Sequence, residues 1–180
     1  GFSDWRLPTV KVLYSLMNFG QGRDPSSCTD CVSSNLSGKT FIDDSIFTAG
    51  FGDTSAGERL IDGQYISSNV YGGQTFDSQT GVFGVNFVDG RIKGYECDSS
   101  GTYYIQCVRG NGEYGLNNFS DNGDGTISDS ATGLVWQQGD SGGSRNFENA
   151  LTYCESLSLG GQTDWRLPNI KELQSILDYS

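Results

Sequence analysis

Five residues occur twice in this chain: Asp4-Trp5-Arg6-Leu7-Pro8 returns as Asp164-Trp165-Arg166-Leu167-Pro168. Setting residues 1–19 against 161–179 gives nine identities in nineteen positions, among them Gly1/Gly161, Lys11/Lys171, Leu13/Leu173 and Ser15/Ser175. An offset of 160 residues is far longer than a solenoid period, so it points to domain-sized units in tandem. The text ends in the phase in which it begins, and reads as a little more than one period that opens in mid-unit. In both copies the proline introduces a helix. Thr9 is placed to cap Val10, Leu13, Leu16 and Met17 on one helical face, and Asn169 with Glu172 predicts a capping box ahead of residues 170–177.

Length and composition narrow the class. A chain of 180 residues can bury a real core without staples. Only 18% of residues are charged and 26 are Gly, which suits a loop-rich, β-containing extracellular domain better than a helical bundle. Net charge is −11 without a basic stretch, so nucleic acid and other polyanions are excluded as charge-bound partners. The absence of His removes the commonest general base, the usual Ser and Cys triads, and most zinc or copper sites. No apolar run is long enough to span a membrane, and the first residues lack the basic and apolar regions of a signal peptide. Five Cys without His favour disulfides in an oxidising compartment, with one thiol left over.

Along the chain, 21–39 reads as a long loop carrying Cys28-Thr29-Asp30-Cys31. A redox pair wants a strand before it and a helix after it, so a local disulfide staple between Cys28 and Cys31 is the expected role. Short runs at 40–42, 64–66, 81–87 and 91–95 read as strands, the last two joined by Val88-Asp89-Gly90 as a hairpin. Alternation puts Phe83, Val85 and Phe87 on the core face. A further strand is expected at 102–109, and 110–115 forms a polar joint. Beyond it, 118–129 and 134–138 predict two strands around a four-residue turn. Phe147, Ala150, Leu151, Cys154 and Leu157 then follow helical spacing, which turns Cys154 to the core.

These residues resemble a known family. Residues 118–138, 149–158, both Asp-Trp-Arg-Leu-Pro segments, the 85–90 hairpin and 104–110 are similar to the Lcl C-terminal domain, named for a collagen-like bacterial surface adhesin. The resemblance implies an α+β, C-type-lectin-like fold: two helices with a small twisted antiparallel sheet and long loops, related to the sulfatase-modifying-factor fold. In the family the portion matching 116–180 comes first. Residues 1–110 are then the C-terminal half of one unit, 111–115 the joint, and 116–180 the N-terminal half of the next. The halves complete one circularly permuted domain, or each is completed by a neighbouring chain. The resemblance also implies a disulfide from Cys107 to Cys154, with Cys97 and Cys107 across a turn as the rival pair.

Two helices for one slot make Trp5, Leu13, Trp165 and Leu173 candidate assembly residues. Asp121, Asp124 and Asp129, spaced by Gly, Asn and Ser, suit either a calcium ion or a set of Asx turns opening a hairpin. The motif tryptophans read as core, with Arg and Asp beside them as local ion pairs or carbonyl caps. Tyr65, Tyr71, Phe76, Tyr103 and Tyr114 are the aromatics that could meet a glycan or a protein. Catalysis lacks an ordered acid/base pair; the sulfatase-modifying relatives use paired cysteines, for which Cys28 and Cys31 are the close pair here. The expectation is therefore a non-catalytic extracellular module of a bacterial surface protein, assembling with copies of itself. A carbohydrate-binding adhesin domain is the alternative, and an enzyme a more distant one.

Overall fold

The structure, a computed structural model, describes residues 1–22, 40–74, 80–97 and 101–179. The chain is α+β and divides into two units, Gly1–Tyr114 with Asp178–Ser180, and Gly115–Leu177. Among the described residues no helix is long and apolar enough to cross a membrane.

In the first unit, helix α1 (Val10–Tyr14) is a turn and a half long, and the Thr9 hydroxyl accepts from the Val12 N–H at 3.3 Å. Strands β1 (Gln64–Gln74), β2 (Thr80–Asn86) and β3 (Arg91–Glu96) form an antiparallel sheet in the order β1-β2-β3. The core is Val10, Leu13, Tyr14 and Met17 from the helical segment set against Ile42, Tyr65, Val85 and Phe87. Tyr179, from the far end of the chain, belongs to this unit: its ring meets Phe83 edge-on at 5.2 Å.

Alternation gets the core face of β2 right at Val85 and Phe87 but misses that the other face is buried too. The reason is Asn86. Its amide donates to the Ile61 carbonyl and to Gln64 Oε1, both at 2.7 Å, and its Oδ1 accepts from the N–H groups of Val88 and Asp89. A buried amide with every group paired is tolerated inside, and here it clamps the hairpin turn. Gly90 follows with φ of 76°, a left-handed position where an added Cβ would also press on the Phe41 ring at 3.1 Å.

The expected strand at 102–109 makes only isolated bridges, Tyr104 with Tyr65 and Val108 with Arg6. β1 explains this. Its register with β2 shifts between Ile66 and Val70, and a bulged strand bends away from a partner laid along its edge. Pairing therefore stops after Tyr104 N–H to Gln64 O and Ile66 N–H to Tyr104 O.

The second unit holds a three-stranded antiparallel sheet, β4 (Phe119–Asp121), β5 (Thr126–Asp129) and β6 (Leu134–Gln137), and two helices, α2 (Phe147–Ser156) and α3 (Ile170–Ser175). The expected single strand over 118–129 is a hairpin in itself, because Gly123 and Gly125 take positive φ and turn the chain. Asn146 caps α2, and Asn169 with Glu172 forms the predicted capping box on α3. This unit lacks an apolar core. Its three buried side chains, Thr126, Asp129 and Gln174, are all polar.

Candidate assembly interface

The twin helices give the clearest comparison in the molecule. In α1 and the turn after it, Val10, Leu13 and Met17 are 0%, 1% and 2% exposed. Their counterparts Ile170, Leu173 and Leu177 are 50%, 44% and 48% exposed. The same apolar pattern is thus core in one setting and surface in the other. The capping differs as well. α3 has Glu172 where α1 has Val12, and Glu172 accepts from the Asn169 N–H at 2.8 Å and from the Arg166 guanidinium with both oxygens. Those hydrogen bonds, Arg166 foremost, hold the Glu172 carboxyl down to about 2.

Without that carboxylate, Arg6 turns elsewhere and donates to the Asn111 carbonyl at 2.7 Å. Asp4 pairs with Arg109 at 3.0 Å, and the Arg109 guanidinium lies 3.7 Å from the Phe2 ring centre. The expected core role fails for Trp5, which is exposed: its unit fills the core with aliphatic side chains and with Tyr14, Tyr65 and Phe87 instead. Trp165 is half-buried and donates from Nε1 to the Leu159 carbonyl. Of the four candidate assembly residues, Leu173 and Trp5 are on the surface, Trp165 is intermediate, and Leu13 is sealed in the core.

The exposed face of α3 has company. Leu116, Phe119, Val135, Phe147 and Leu151 are also exposed in the second unit, Phe147 at 71%. Helical spacing put Phe147, Leu151 and Cys154 toward a core; no such core exists within this unit, so Phe147 and Leu151 meet solvent and Cys154 is only half-buried. About 60 residues already make a marginal domain with an apolar core. Without one, its large apolar side chains are left on the surface.

The three candidate calcium ligands brace the β4–β5–β6 turns. Asp121 accepts from the Gly123 N–H and from Gln138, and Asp124 Oδ1 from both the N–H and the hydroxyl of Thr126. Asp129, 1% exposed, accepts from the N–H groups of Asn118 and Ala131 on one oxygen and from Asn117 and Thr132 on the other. Burial pushes that carboxyl up, and the four donors outweigh it and leave it below its ordinary range. All three carboxylates are thus engaged as braces of the hairpin turns. Among the described residues no group of three or more His, Cys, Asp or Glu could hold a metal ion.

The cysteine expectations are corrected in part. Cys97, Cys107 and Cys154 are free thiols, so neither the Cys107–Cys154 bridge nor its Cys97–Cys107 rival is formed. Cys28 and Cys31 lie outside the described residues, as does Phe76.

A cleft of about 590 Å³ opens in the first unit, lined among others by Ala49, Gly50, Phe51, Tyr65, Tyr104 and Ile105. Its lining contains no carboxylate, amine or thiol. Tyr104 stacks on Tyr65 at 5.4 Å between centroids, and its hydroxyl donates to the Phe51 carbonyl at 2.7 Å. Tyr104 is not among the expected contact aromatics; of those, Tyr71 and Tyr114 are exposed, Tyr103 is intermediate, and Tyr65 is core. Helical spacing alone does not mark Phe147 and Leu151 as surface groups, since it shows an apolar stripe and not whether a partner covers it.

The second unit is thus a small α+β layer with polar buried groups and an uncovered apolar surface. Residues 125–180, which take in β5, β6, α2 and α3, match the family model described as the Lcl C-terminal domain. No curated protein and no solved structure matches the chain.

Proposed function

We propose that this chain is a non-catalytic, extracellular module of a bacterial surface protein that assembles with copies of itself into a filament or array. The observation that carries the reading is the second unit, whose large apolar side chains stand exposed while its buried side chains are all polar. The Lcl match supports the surface setting, since that family is named for a surface adhesin. In the lectin-like reading, residues 116–180 and 1–110 are halves of one domain type, completed between copies or in permuted order. Negative-stain electron microscopy and sedimentation velocity of the purified chain test it. Filaments or concentration-dependent oligomers support assembly, and a discrete monomer at all concentrations removes it.

The cleft beside Tyr104 favours a second reading, in which the module binds a neutral glycan. A net charge of −11 speaks against sulfated polysaccharides as the ligand. A glycan array probed with the purified chain separates the two readings.

A further inference from the structure

We infer that α3 is a second tenant of the α1 seat, and that it takes this seat in a second copy of the chain. The inference rests on the assembly reading and names the contact that reading requires. The seat is the surface of Ile42, Tyr65, Val85 and Phe87 on which α1 lies. At four positions α3 presents matching apolar groups, Ile170 for Val10, Leu173 for Leu13, Ile176 for Leu16 and Leu177 for Met17, while Gln174 stands where Tyr14 is buried. The molecule therefore displays, in its own first unit, the kind of surface that covers a helix of this pattern. The seat of its own chain is filled by α1, and a second copy offers the same seat.

Two features make α3 the stronger helix. It carries a complete capping box and the Arg166–Glu172 pair from its own sequence, where α1 has the 3.3 Å Thr9 cap and relies on Asn69, remote in sequence, to accept from the Val10 N–H. It has Glu172 and Gln174 where α1 has the β-branched Val12 and the aromatic Tyr14, both poorer helix formers. Gln174 supplies a further argument. Its Nε2 is buried without an acceptor, so the present surroundings of α3 leave it unsatisfied. Each chain has one seat and two such helices, so exchange leaves the number of filled seats unchanged. The gain lies in the other exposed groups of the second unit, Phe147 and Leu151 foremost, which the junction covers. A helix passed from copy to copy joins different surfaces and gives an open chain of subunits.

The test uses full-length chains. Leu13→Asp/Leu173→Asp empties the seat and disables its own α3, and wild type is then added. Sedimentation velocity should show a one-to-one complex absent from either chain alone. Hydrogen exchange over residues 170–177 of the wild-type chain should slow roughly tenfold or more on mixing. Leu173→Asp in place of wild type should give neither effect, since position 173 is exposed and its change spares the fold. If the double variant unfolds by itself, the same decision comes from circular dichroism: structure regained with wild type and not with Leu173→Asp. Unchanged exchange over 170–177, or equal recovery with Leu173→Asp, overturns the inference. Electron microscopy of Leu173→Asp alone keeps the two claims apart. Assemblies as large as those of wild type would remove α3 from the contact and leave self-assembly standing, whereas wild type that never assembles removes the broader reading while the mixing result still decides the seat.

Discussion

Asp129 shows how one side chain can hold a sheet that has no apolar core beneath it. It gathers four donors from 117–118 and 131–132, the segments flanking β4 and the β5–β6 turn. Asp129→Ala leaves buried donors unpaired, at about 1–3 kcal/mol for the exposed desolvation penalty. Urea or thermal melting followed at Trp136 should show the loss, and chelating calcium should leave the wild-type melt where it was. Glu172 makes the pH case. Its folded value is depressed to about 2 from an ordinary 4.5, so its contribution is complete above the higher figure and disappears as pH falls through the lower. Solvent screens this half-exposed pair, and capping-box energetics limit the effect to ~1 kcal/mol. Circular dichroism should show α3 fraying between these two pH values in wild type, with Glu172→Gln already frayed at neutral pH. A wild-type helix signal flat across that window would remove the role given to the carboxylate.

The twin helices allow a matched pair of substitutions. Leu13→Ala opens a cavity among Tyr65, Val85 and Phe87 and should cost about 2–5 kcal/mol, whereas Leu173→Ala at an exposed site should stay within about 0.5 kcal/mol for the dilute chain. Equilibrium urea unfolding measures both; equal losses would mean that α3 is buried in solution. The contrast also shows what the text of the chain can and cannot convey. The capping box, the Thr9 cap and the 81–96 hairpin were legible because each depends on residues a few positions apart. The strand signature covers three residues of β1 and the strand has eleven, since Ser67, Ser68, Asn69, Gly72 and Gly73 carry no such signature and fall at the two register shifts between the residues paired with β2. The segment 102–109 has the residues of a strand and makes only isolated bridges, because the bulge that stops its pairing lies in a different segment. Whether an apolar stripe is buried depends on partners remote in sequence, and matching stripes in α1 and α3 have opposite fates.

Across the molecule, charge and apolar surface pull in opposite directions. With 22 acidic and 11 basic residues, every copy carries −11, so copies repel one another at long range. That repulsion reaches about 8 Å at physiological ionic strength and about 3 Å near molar salt. The contacts offered for association are Phe147, Leu151, Ile170 and Leu173, which salt does not weaken and which kosmotropic salts reinforce. Raising the salt concentration should therefore shift sedimentation toward larger species, and sulfate should act more strongly than chloride at equal ionic strength. An interface built on ion pairs would respond the other way, dissociating as salt rises. Phe147→Ser, which removes the most exposed of these groups without touching a buried one, should blunt the salt response while leaving the monomer's melting unchanged. A salt response of the opposite sign would mean that association between copies is electrostatic, and that the exposed face of the second unit has another partner.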